Sequence, residues 1–212
     1  MTGANFDGGG ASYSTQALAA AQAAHFNNDG IAADNNQSCG GTDAANYDGD
    51  GYAYSNDALT AAGLAPGSSV TADGLSFKWA DLQPCTNDNI LAEGQTMLLS
   101  GTGNTLGILG SSTNGTCAGT VVIHYTDGTT STATLTLNDW AQGPGSGDSS
   151  VAAMTYRNSF DGSQTINMWV YATTVPVDSA KTVASVTFPD ISNTISNGAT
   201  AMHIFSVALG TT

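Results

Sequence analysis

Positive charge is almost missing from this sequence. Lys78, Lys181 and a single arginine, Arg157, stand against 17 acidic residues, which gives a formal net charge of −14 over 212 residues. A protein that grips phosphate chains needs clustered cations, so three scattered ones argue against nucleic acid as a partner, and equally against an anionic membrane surface. Glutamate is nearly absent too, since Glu93 is the only one. Charged residues make up 9% of the chain, where about a quarter is usual. No run approaches the ~18 continuous apolar residues of a membrane-crossing helix. After Met1 there is no basic region followed by an apolar stretch, so the reading expects a native leader to have been removed. A surface of Ser, Thr, Asn and Asp, hydrated with little ionic pairing, reads as extracellular and secreted.

Cysteine is scarce as well. Cys39, Cys85 and Cys117 form no CxxC pair, which makes a zinc or redox motif a poor reading. In an oxidising compartment, three cysteines mean one disulfide and one leftover thiol. Cys85–Cys117 is the expected bridge, with three small buried thiols as the alternative, because spacing alone does not fix the geometry a disulfide needs.

What the chain has in abundance is two-residue alternation. From Thr120, Val121, Ile123 and Tyr125 fall on one side and Val122 and His124 on the other. After Thr126-Asp127-Gly128-Thr129 the pattern resumes, with Ser131, Ala133, Leu135 and Leu137 opposite Thr130, Thr132, Thr134 and Thr136. A period of two marks strands with one buried face, and Asp-Gly between two such runs marks a hairpin. Further strands are predicted over 69–72, 75–79, 96–99, 105–109, 151–156, 165–172, 182–188 and 201–208, separated by Gly, Asn and Pro. Many short strands with such punctuation argue for an all-β antiparallel sandwich with one or two short helices. The helices are placed after a Ser14 or Thr15 cap, through about His25, and after an Asn56 or Asp57 cap, ending at Gly63.

One motif is written twice. Residues 4–18 return at a constant offset as residues 45–59, Ala4-Asn5-Phe6-Asp7-Gly8 matching Ala45-Asn46-Tyr47-Asp48-Gly49. Two copies are too few for a solenoid. The chain therefore divides into an N-terminal segment, 1–25, that duplicates 45–62, and a sandwich domain, 26–212. A duplicated strand could cover an edge of its own domain, or add to a neighbouring copy of the chain through residues 4–18 and build an assembly.

From Phe26 onward the motifs NNDGIAADNN, ANYDGDGYAYSNDALTAAGLAPGSSV, DGLSFKW, DNILAEGQTMLL, TLGILGSSTNG, VVIHYTDGT, LTLNDW, MTYRNSFDGSQ, KTVASVTFP and MHIFSVAL follow in order. This order resembles the accessory β-sandwich module of secreted bacterial glycoside hydrolases, a jelly roll of galactose-binding-like type. The resemblance implies an extracellular, non-catalytic domain that binds carbohydrate.

The candidate chemistry follows the residues. Sugar recognition needs aromatic faces with a few polar groups beside them, and Tyr156, Arg157, Trp169 and Tyr171 are the candidates for polysaccharide or glycan contact. A lone arginine in so acidic a chain is also expected to meet an internal carboxylate, with Asp139 the first choice. Trp79 and Trp140 read as core plugs, and His124 and His203 as packing or surface residues. Asp48-Gly49-Asp50-Gly51 resembles part of a calcium loop, so Asp48 and Asp50, helped by Asp29 and Asp34, are the candidate ligands for calcium. A hydrolase would need two carboxylates at fixed separation, and most aspartates here sit beside Gly or Asn, where a turn accounts for them.

Overall fold

The threonine-faced hairpin forms as its pattern dictates. In the computed structural model, which describes residues 15–34, 45–145 and 147–212, strands β8 (Cys117–Tyr125) and β9 (Thr130–Leu137) pair antiparallel, with Val121 opposite Ala133 and His124 opposite Thr130. Gly128 holds the turn at φ 82°, a conformation that costs a residue without Cβ little. Val121, Ile123, Leu135 and Leu137 are buried while Thr130, Thr132 and Thr134 are exposed.

This hairpin belongs to a four-stranded sheet, ordered β6-β12-β8-β9, with β6 at Thr96–Gly101 and β12 at Val183–Thr187. A seven-stranded sheet runs β1-β2-β10-β11-β7-β13-β5. Its members are β1 (Ile31–Ala32), β2 (Tyr52–Ser55), β5 (Ile90–Leu91), β7 (Thr105–Thr113), β10 (Ser149–Ser159), β11 (Gly162–Pro176) and β13 (Ala201–Gly210). The molecule is an antiparallel β-sandwich, with two short helices among the described residues. Among the described strands β1 and β2 alone pair in parallel.

The larger sheet is covered on both faces. One face packs Leu106, Ile108, Tyr171, Met202 and Ile204 against Val121, Ile123, Leu135 and Val186 of the smaller sheet. The other packs Leu109, Met168, Val170 and Phe205 against helix α2 (Asn56–Ala61), Leu64, and the hairpin of β3 (Ser69–Ala72) and β4 (Leu75–Lys78). Double coverage explains why β7 is buried from end to end and β13 nearly so. A strand with no wet face has no reason to alternate.

Two details depart from the sequence reading. A short strand forms where none was predicted, since Ile31 and Ala32 pair with Tyr54 and Ser55. The N-cap of α2 is Ser55, whose Oγ accepts from Ala58 N at 2.9 Å. Helix α1 (Thr15–Ala23) lies on its own domain: Leu18 packs on the main core, and Gln22 Nε2 donates to Val207 O at 2.8 Å. Most of the duplicated segment, residues 4–14, and Cys39 lie outside the described residues. Among those residues no helix is long and apolar enough to cross a membrane.

The expected Cys85–Cys117 bridge does not form. Cys117 is a free thiol at the inner face of β8, buried in the main core, and burial pushes its pKa up to about 11. Cys85 is disulfide-bonded and sits on an exposed loop at φ 78°. One lies in a core strand and the other on an exposed loop, and sequence spacing carries no record of that.

Candidate functional site

At the β1–β2–β10 edge of the larger sheet, a pocket of about 190 Å³ opens between the end of β1, the turn before β2 and the tip of the β10–β11 hairpin. Its lining includes the small residues Ala32, Ala45, Gly51 and Ala53, so the backbone can be approached closely. Its polar members are Asp34, Asn46, Asn158 and Ser159. Phe160 stands on the rim with 83% of its surface exposed. The hairpin explains that exposure: Ser159 pairs with Gly162, leaving Phe160 and Asp161 as a two-residue turn that points the ring away from both cores.

Asp34 is the hub of the polar side. Its Oδ2 accepts from Tyr156 Oη at 2.6 Å, and its Oδ1 accepts from Asn158 Nδ2 at 3.0 Å and from Ser55 Oγ. Burial, and then the bond to Asp34, raise the Tyr156 phenol above its usual pKa, since the carboxylate favours the protonated hydroxyl. Asn158 is 4% exposed and its Nδ2 also donates to Ala32 O at 3.3 Å. Among the described residues its buried Oδ1 has no hydrogen-bond partner.

Arg157, next in sequence, takes another direction. Its Nη1 meets Asp48 Oδ2 at 3.4 Å and its Nε donates to Gln164 Oε1 at 2.8 Å. The guanidinium lies 3.6 Å from the centroid of the Tyr52 ring and 5.1 Å from that of Trp140. The internal carboxylate it finds is Asp48 rather than the expected Asp139. Asp139 instead ties its own loop to the β7–β8 turn, accepting from Gly115 N at 2.7 Å and Ala141 N at 2.8 Å.

A family model for an AziU2-like β-sandwich domain matches residues 15–203. The chain belongs to the AziU2-like β-sandwich domain family. No curated protein matches the chain. The match supports a β-sandwich module but not the galactose-binding-like accessory module of glycoside hydrolases that the motif order suggested.

Within this AziU2-like domain the expected sugar-contact residues separate. Tyr156 reaches the pocket's Asp34. Arg157 is held by Asp48 and Tyr52. Trp169 is half-buried beside Gly143 and packs against the main core. Tyr171 is fully buried, and its Oη donates to Asp139 O at 3.1 Å; such a ring offers no face to a ligand. Trp79 and Trp140 are buried core residues.

The four candidate calcium ligands separate too. Asp48 Oδ1 accepts from Asp50 N at 2.9 Å and Tyr52 N at 3.3 Å, and its other oxygen faces Arg157. Asp50 Oδ1 accepts from Asn197 Nδ2 at 2.9 Å. Asp34 serves Tyr156, Asn158 and Ser55. Asp29 lies near enough to Asp88 to raise that group's proton affinity. A cage of six to eight oxygens needs converging donors. Among the described residues no three acidic, His or Cys side chains are placed together to hold a metal.

The AziU2-like domain also carries a buried polar network that no motif announced. Tyr47 Oη lies 2.6 Å and Tyr54 Oη 3.0 Å from Ser111 Oγ, and Tyr54 Oη donates to Trp169 O at 2.5 Å. His203 stacks on Tyr47 with centroids 3.9 Å apart, and its Nδ1 lies 2.8 Å from Asn89 Oδ1. Burial lowers the His203 pKa to about 3. The reading of His203 as a packing residue matches its place. Phe160 and Asn158, by contrast, were missed. The Asp-Gly turn after Phe160 was a signal for the first, while nothing in the sequence marked the second.

Proposed function

We propose that this chain is a secreted, non-catalytic module of the accessory kind, and that it binds carbohydrate at the Asp34–Phe160 pocket. The observation that carries the reading is Phe160. A fully presented aromatic ring on the rim of a small polar pocket is the arrangement that stacks on the C–H face of a sugar while neighbouring groups take its hydroxyls. The small floor residues add support, because they let a flat ring come close to the backbone. The disulfide at Cys85 supports an oxidising, extracellular setting.

Affinity electrophoresis in gels containing plant, fungal or bacterial polysaccharides tests the reading. At least one polysaccharide should retard the protein. Phe160→Ala should remove the retardation while leaving thermal unfolding unchanged. Unretarded migration across the panel overturns the proposal.

A further inference from the structure

Among the described residues, the pocket's polar lining holds two acceptors, the Asp34 carboxylate and Asn158 Oδ1, beside one amide donor, Asn46 Nδ2. Asn158 Nδ2 is committed to Asp34 Oδ1 and Ala32 O, which fixes the amide and leaves its buried Oδ1 as an acceptor without a donor. A buried acceptor of this kind is costly unless something donates to it. The hydroxyl hydrogens of Tyr156 and Ser55 are both spent on Asp34. Asn46 Oδ1 already receives Gly49 N at 2.9 Å and Gly51 N at 3.1 Å.

The pocket's charge is of one sign. Among the described residues Asp34 lines it and no cation does. Each of the chain's three cations is engaged elsewhere: Arg157 with Asp48 and Tyr52, Lys78 with Gly67 O, and Lys181 with Asp127 at 3.2 Å. A uronate or a phosphorylated sugar would enter a negative pocket with nothing to pair with. A group that brings both positive charge and several N–H donors meets both conditions.

We propose that the pocket recognises the protonated amine of an amino sugar, with the Asp34 carboxylate as counter-charge, Asn158 Oδ1 accepting one N–H, and Phe160 against the sugar ring. This inference rests on the saccharide reading above and names its ligand class.

The experiment is calorimetric titration of the whole chain, at about pH 6 so that the amine is protonated, with three oligosaccharides of equal length: a glucosamine oligomer, its N-acetylated counterpart and a glucose oligomer. The glucosamine oligomer should bind ~10-fold or more tighter than the other two, and its advantage should shrink as salt is added. Asp34→Asn, which keeps the shape of the side chain, should bring the three ligands to parity. Phe160→Ala should weaken all of them. Equal binding of the three oligomers by the unaltered chain, lost in Phe160→Ala, overturns the amine inference and leaves the saccharide reading standing. Retention of the glucosamine preference in a folded Asp34→Asn protein also overturns the inference. Binding of none of the three overturns it too, and the polysaccharide gels then decide separately whether the broader reading survives.

Discussion

Arg157 and Asp48, 109 positions apart in sequence, meet at 3.4 Å with both side chains largely buried. The pair ties β10 to the turn before β2, and the guanidinium closes over the Tyr52 ring. Asp48 is a costly partner. Burial raises its pKa, and two backbone amides together with Arg157 hold it down.

Removing the arginine should therefore leave a buried carboxylate uncompensated. Arg157→Met is expected to destabilise the fold by about 1–3 kcal/mol. Arg157→Lys should recover only part of this, since an ammonium loses the planar contact with Tyr52 and the second bond to Gln164. Urea unfolding of the two variants, with Asp48→Asn in a double-mutant cycle, measures the coupling. Variants as stable as the parent would show that the pair does not matter to stability.

Asp88 sets an alkaline limit. It is buried and receives Gly30 N at 3.1 Å, Ile31 N at 2.9 Å and Asn89 Nδ2 at 2.7 Å. Burial pushes its pKa up to about 8, the Asn89 bond works against this, and nearby Asp29 adds to it. A carboxyl whose pKa is higher folded than unfolded favours the fold most below its unfolded pKa, and loses that contribution as pH rises through the folded value. Stability should thus fall as pH is raised from about 4 through about 8, apart from other titrations. Asp88→Asn should flatten that slope even if it lowers stability overall. Urea midpoints that keep the same slope in the variant would assign the alkaline loss to another group.

The two described cysteines should differ sharply in reactivity. Cys117 is buried and its thiol is held protonated, so iodoacetamide should leave it unmodified in the native protein and label it after denaturation. Cys85 should be labelled only when a reductant is added. Peptide mass mapping reads both sites. Labelling of Cys85 without reductant contradicts the disulfide.

The fold was legible wherever a strand has one wet face. The Thr130–Thr136 alternation placed β9 and its partner, and strands β3 and β13 began where their patterns began. The ends were harder: β7 runs well past the predicted segment because both of its faces are covered, and β11 is prolonged into the exposed hairpin tip that pairs with β10. Short strands such as Ile31–Ala32 escaped because two residues carry no periodicity. The site was less legible. Tyr156 and Asp34 were singled out for separate roles, one for sugar and one for calcium, yet they share a 2.6 Å hydrogen bond across 122 positions of chain.

By itself, the sequence determined that this protein is a sandwich of antiparallel strands with an acidic, cation-poor surface, because alternation and composition are local properties of the chain. Only the tertiary structure decided which aspartates meet a tyrosine, an arginine or each other, which cysteine stays reduced, and that Phe160 stands in solvent while Tyr171 is sealed inside. Those outcomes depend on strand order and register, which bring distant residues within hydrogen-bonding reach and leave near neighbours such as Tyr156 and Arg157 engaged with different partners.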